Sequence, residues 1–195
     1  MKQQRKLLKS VGVVELERNF GKCLAWFYAY PKAKIGLTAL AKSIRSSKTA
    51  TKQIVESLIK IKLLNREIVG KAWLLSADQK HPDFIAKKIP YNLGSIYESG
   101  VNDAIHKIIP SPRAIILFGS YRWGSDLEES DIDVAVEVLD NHDLQTISLG
   151  VIPQIGYRKN IQVNLYIFSR NKIDLNLFAN IANGIVLDGF LEISP

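Results

Sequence analysis

The chain has 195 residues, 47% apolar and 23% charged, with a net charge of +7 and a mean hydropathy of +0.02. These values suit a globular protein of one large or two small domains. They exclude a helical membrane span, because no run of eighteen apolar residues occurs, and an internal disulfide, because Cys23 is the single cysteine. A lone thiol fits a reducing cytoplasm. The basic start, residues 1–9, is not followed by an apolar core, which argues against a signal peptide. The expectation is a cytoplasmic protein with no membrane association. Charge is distributed unevenly. Residues 1–90 hold 19 Lys+Arg against 6 Asp+Glu, whereas residues 91–195 hold 7 against 13. A basic half joined to an acidic half predicts two domains with different partners, one of them nucleic acid.

In chain order, residues 15–30 predict a helix with Leu16, Phe20, Leu24 and Phe27 on one face and Pro31 just beyond its end. Cys23 lies among these apolar neighbours and reads as a core thiol. A second helix is predicted over residues 37–44. Ser47 can cap a third over residues 48–61, with Ile54, Leu58 and Ile61 inward. Its outward face would carry Lys48, Thr49, Thr51, Lys52 and Gln53, whose side chains can reach phosphates and base edges. Two β-prone runs flank Gly70-Lys71 and predict a hairpin. This succession resembles a winged helix-turn-helix domain over residues 12–78. The resemblance implies a third helix in the major groove of double-stranded DNA, with Lys71 at the wing tip near phosphate. A module used only for dimerisation or protein docking is the competing reading, since fold does not fix function. Winged-helix proteins often dimerise, so a homodimer is compatible with either.

Residues 76–83 break the pattern and divide the chain into domains at 1–80 and 81–195. A short amphipathic piece is predicted over residues 84–89, stopped by Pro90. A helix over residues 93–109 follows, with Ile96, Val101, Ala104 and Ile108 inward. The apolar run 114–118 reads as a buried strand that delivers Gly119-Ser120 into a tight turn. Backbone N–H groups at such a turn can hold a phosphate. With ten residues between it and Ser120, Asp131-Ile132-Asp133 opens a second apolar run. Strand side chains alternate, so the two carboxylates share one face, and hard carboxylate oxygens suit Mg²⁺ or Mn²⁺. Beyond it, residues 143–157 predict a helix, 161–168 an alternating strand, 174–183 a helix and 184–187 an edge strand. His81, His106 and His142 show no metal-ligand spacing.

Phe118-Gly119-Ser120, Gly124, Ser130-Asp131 and Ile132-Asp133-Val134 together resemble the signature of minimal nucleotidyltransferases of the DNA polymerase β superfamily, over roughly residues 90–195. The fold class expected is α+β: a winged helix-turn-helix followed by a nucleotidyltransferase-like α/β domain with a small mixed sheet. The resemblance implies an NTP as substrate or ligand, Mg²⁺ (or Mn²⁺), and Asp131 and Asp133 as catalytic metal ligands. It assigns Gly119, Ser120, Arg122, Gly124 and Ser130 to the nucleotide. Two departures stand out. Active members carry a third carboxylate on a neighbouring strand, where this chain has Asn164; an amide oxygen can ligate a cation but cannot act as a base. Glu137 cannot replace it, because four residues along a strand place it roughly 13 Å from Asp133. Where minimal members often carry an arginine before the second glycine, this chain has Trp123, with Arg122 beside it as either a triphosphate ligand or a surface cation. The ten-residue spacing is similar to that of nucleotidyltransferases acting as antitoxins, which implies a toxin protein as a partner. Two functions follow: nucleotidyl transfer to an acceptor, or a DNA-binding regulator or antitoxin whose second domain binds nucleotide or a partner without catalysis.

Overall fold

The structure, a computed structural model, describes residues 18–192. Residues 15–17 of the predicted first helix, Leu16 among them, and the basic start lie outside the described residues. The N-terminal unit runs α1 (Arg18–Ala29), β1 (Lys34–Gly36), α2 (Leu37–Ser43), α3 (Lys48–Lys60), β2 (Leu64–Val69) and β3 (Ala72–Ala77). Its strands form an antiparallel sheet in the order β1-β3-β2, and Val69↔Ala72 closes the hairpin over Gly70-Lys71. Gly70 takes φ +61, a left-handed turn conformation that glycine adopts without steric cost. Ser47 caps α3 by accepting the Ala50 N–H at 3.1 Å. Cys23, Phe27, Leu40, Val55, Leu58 and Leu75 fill the core.

The inward stripe of α3 is Thr51, Val55 and Leu58, at helical spacing; of the predicted Ile54, Leu58 and Ile61, Leu58 is buried and Ile54 packs partly buried against the same core. Ile61 falls past the last turn and is 46% exposed. Thr51, expected outward, is fully buried, and its hydroxyl donates to the Ser47 carbonyl at 2.8 Å.

The second unit comprises α4 (Pro82–Ser99), α5 (Val101–Ile108), β4 (Ala114–Phe118), α6 (Gly119–Trp123), β5 (Ile132–Glu137), β6 (Gln145–Ile155), β7 (Arg158–Phe168), α7 (Leu175–Ala182) and β8 (Ile185–Gly189). The five-stranded sheet is mixed, in the order β6-β7-β5-β4-β8, with β5 and β7 parallel and the other pairs antiparallel. Ile115, Leu117, Val134, Val163 and Leu165 face a core covered by α4 and α5.

Three predicted boundaries differ. Pro90 does not end a helix: α4 runs through it, on an exposed side where the carbonyl left without its N–H partner can meet water. The predicted helix 93–109 is instead split at Gly100, whose φ of +79 caps α4 and starts α5. The predicted helix 143–157 is strand β6. Thr146, Ile147, Val151 and Ile152 favour a pleated surface, and Gly150 and Pro153 weaken a helix. Pro153 is tolerated because β6 is an edge strand and needs donors on one side only.

The two units share α4. Phe84 packs in the first core, Ile96 in the second, and Tyr91 touches both. Tyr28 of α1 meets the rings of Phe84 and Tyr91 at 5.2 Å each. The Tyr30 hydroxyl donates to the Tyr157 carbonyl at 2.9 Å in the β6–β7 turn.

Candidate metal and nucleotide site

β4 ends at Phe118, and Gly119 turns the chain into the single turn of α6 with φ +70. The antiparallel register places Phe118 beside Asp133, the second residue of β5. A Cβ at Gly119 would lie 2.8 Å from Asp133 Oδ2, so this glycine is where the backbone passes close under the carboxylate. Asp131 stands just before β5, exposed, while Asp133 is half-buried. Parallel pairing of β5 with β7 sets Asn164 directly beside Asp133. The Asn164 amide donates to Asp133 Oδ1 at 3.2 Å and reaches Asp131 Oδ2 at 3.4 Å. One amide nitrogen therefore spans both carboxylates, and their oxygens converge on one point.

The electrostatics match that geometry. Burial pushes the Asp133 carboxyl above the usual carboxylate range and the Asp131 charge adds to this, while hydrogen bonds from Asn164 and Tyr166 oppose it. The Tyr166 hydroxyl, itself raised by burial and by Asp133, completes the surroundings of that carboxylate. Two carboxylates and an amide are hard oxygen donors of the kind Mg²⁺ or Mn²⁺ accepts alongside phosphate oxygens. Rotated half a turn, the Asn164 amide presents Oδ1 instead of its N–H to the same point. The donor set fits one cation. Among the described residues, no group of three His, Cys, Asp or Glu side chains gathers to hold a metal.

Other sequence-predicted residues take varied positions. Ser120 is half-buried on α6, one residue after Gly119. Arg122 donates Nε–H to the Asn183 carbonyl at 2.6 Å and stacks 3.6 Å from the centre of the half-exposed Trp123 ring. Gly124 caps α6 at φ +67 and is buried against Ile85 and Ile89 of α4. The Ser130 hydroxyl accepts the Leu127 N–H at 2.9 Å and holds the turn before Asp131. Glu137, at the far end of β5, is buried between Arg113 and Arg170. In the N-terminal unit, Lys48, Thr49, Lys52, Gln53 and Lys71 are exposed. Lys48, Lys52 and Lys71 line one cleft of about 530 Å³ with Thr38 and Trp73.

A buried polar cluster escaped the sequence reading. Lys88 on α4 donates to the Asp126 carbonyl at 2.5 Å and lies 3.0 Å from its carboxylate, with both side chains under 4% exposed. Asn92 donates to Asp126 Oδ1 at 2.7 Å and to the Tyr121 carbonyl at 3.1 Å. Arg158 closes the cluster from the start of β7. Lys88 and Asn92 stand four apart, a helical spacing visible only if α4 continues through Pro90.

Residues 98–181 match the family model described as nucleotidyltransferase domain, a stretch that includes β4, α6, β5, β6, β7 and most of α7. The mixed sheet with helices over it fits a nucleotidyltransferase-like domain. No curated protein matches the chain. Among the described residues, no helix is long and apolar enough to cross a membrane.

Proposed function

We propose that this protein is a metal-dependent nucleotidyltransferase that transfers a nucleoside monophosphate from an NTP to an acceptor, and that its basic N-terminal unit is a DNA-binding winged helix. The observation that carries the first part is the convergence of Asp131 and Asp133 on one point beside Gly119. Asp131, Asp133 and the Asn164 oxygen would hold Mg²⁺ or Mn²⁺, which supplies charge neutralisation at the triphosphate. Ser120 and the backbone around Gly119 would bind the phosphates, fixing the α-phosphate for in-line attack by an acceptor hydroxyl. Catalysis of this kind rests on positioning and preorganised electrostatics more than on covalent chemistry. The compartment proposed is the cytoplasm.

Asn164 favours a second reading. With an amide where a third carboxylate would complete the cage, the site has one formal negative charge fewer and no base on that strand. A DNA-binding regulator or antitoxin that binds nucleotide, or a toxin partner, without transfer accounts for the same residues.

Label transfer separates the two. The protein is incubated with each α-labelled NTP, Mn²⁺ or Mg²⁺ and a lysate of its source, beside Asp133→Asn. A labelled acceptor that vanishes in the variant is the expected result. Nucleotide binding without labelling under any condition would leave the regulator reading.

A further inference from the structure

Arg158 opens β7 at the turn after β6 and is 6% exposed. Its Nη1 donates to the Tyr121 hydroxyl at 2.5 Å, and its Nη2 donates to the Ser130 carbonyl at 2.5 Å. Tyr121 directly follows Ser120, and Ser130 directly precedes Asp131. One guanidinium thus ties the glycine-serine turn to the start of the carboxylate strand.

Burying a second cation here is not required to neutralise Asp126. Lys88 already lies 3.0 Å from the Asp126 carboxylate and Asn92 donates to it, whereas Arg158 stands 3.8 Å away. The Arg158 charge even opposes that of Lys88, whose ammonium burial already pulls below its ordinary pKa range. Replacing buried charges with apolar groups is often neutral for stability, so stability alone does not account for an arginine here. The planar fork offers a positioning function: two donors at fixed separation hold the Tyr121 side chain and the Ser130 backbone at a set distance. The fork is itself anchored. Tyr157 is fastened to α1 through Tyr30, and Gly156, at φ +54, sits where a Cβ would strike the Tyr91 hydroxyl.

We propose that Arg158 is a positioning residue for the metal–nucleotide site, setting the spacing between Gly119-Ser120 and Asp131-Asp133. The role rests on the nucleotide-binding reading above. The test measures Mn²⁺ binding by electron paramagnetic resonance with a non-hydrolysable NTP analogue, alongside thermal unfolding. It uses the full chain as wild type, Arg158→Met, Arg158→Lys, Tyr121→Phe and Leu187→Ala. Leu187 lies in β8, in the sheet core away from the site, and controls for stability loss alone.

Residues that orient metal ligands typically change metal affinity by roughly 10–100-fold, so Arg158→Met is expected to weaken Mn²⁺–nucleotide binding at least tenfold. Arg158→Lys should recover part of that loss, and Leu187→Ala should lower Tm with affinity intact. Tyr121→Phe, which deletes only the hydroxyl that Arg158 grips, should lower Tm through the stranded donor and weaken binding well beyond Leu187→Ala at matched Tm, and it carries the test if Arg158→Met does not fold. Wild-type binding that is unchanged in both Arg158→Met and Tyr121→Phe, or lost equally in Leu187→Ala at matched Tm, overturns the role alone. No Mn²⁺–nucleotide binding by the wild-type chain overturns the nucleotide-site reading and the role with it.

Discussion

Gly119 shows how one residue can serve both backbone and site. Its φ of +70 disfavours an L side chain, and the space a Cβ would need lies 2.8 Å from Asp133 Oδ2. Gly119→Ala should therefore cost about 1–2 kcal/mol from backbone conformation, and more if Asp133 cannot move. Urea unfolding would read that loss, and Mn²⁺ titration should show weaker binding through the displaced carboxylate. Asp133 carries the opposite trade. Held half-buried beside Asp131, its charge is costly without a cation, so Asp133→Asn should leave the metal-free protein at least as stable while abolishing Mn²⁺ binding. A variant with lower Tm in metal-free buffer would contradict this. Cys23 is inert by contrast: burial pushes its thiol up to about 12, so it should resist a disulfide reagent at neutral pH until the chain unfolds. At this scale the motif was legible because glycine, serine and two aspartates in fixed spacing have few other uses. Arg158 was not, because nothing local distinguishes a buried arginine from a surface one.

Among the elements, α4 matters most for the site. It carries Phe84 into one core and Ile96 into the other, and between them Lys88 and Asn92 grip the 125–130 loop that leads to Asp131. Removing one partner of a buried ion pair strands the other. Lys88→Ala should thus destabilise the protein by about 3 kcal/mol, measured by urea unfolding. Asp126→Asn in the same background should add little, since the stranded carboxylate is then gone. A strictly additive double variant would show that the pair is not coupled. β6 marks the limit of sequence reading. Its apolar residues recur at both helical and strand spacing, and hydrogen bonding to β7 across the β6–β7 turn decides between them.

For the whole molecule, the charge asymmetry becomes a spatial one. The lysines of the basic half that were expected to face nucleic acid converge on the cleft between α2, α3 and the hairpin, where Lys52 lies 5.4 Å and Arg66 4.5 Å from the centre of the Trp73 ring. Under the DNA-binding reading, Lys52→Ala should weaken binding to duplexes of any sequence and lower the steepness of its salt dependence by about one ion. Fluorescence anisotropy across a salt series measures this, and an unchanged slope would place Lys52 outside the interface. The carboxylate site should be indifferent to that substitution.

The sequence by itself determined the helices and the hairpin of the basic half, apart from the inward face of α3, and held no sign of the short strand β1. It also determined the strand–turn–strand frame that brings Gly119 to Asp133, because turn glycines, capping serines and alternating apolar runs act within a few residues of themselves. Tertiary structure alone decided that α4 passes through Pro90, that residues 145–155 pair as a strand, and that Thr51 faces the core. The sequence already put Asn164 in place of a third carboxylate, and tertiary structure added that its amide spans both aspartates across a parallel strand pair. Each depends on which distant segment supplies the missing hydrogen bond or contact, and that choice is made by packing over the entire sheet.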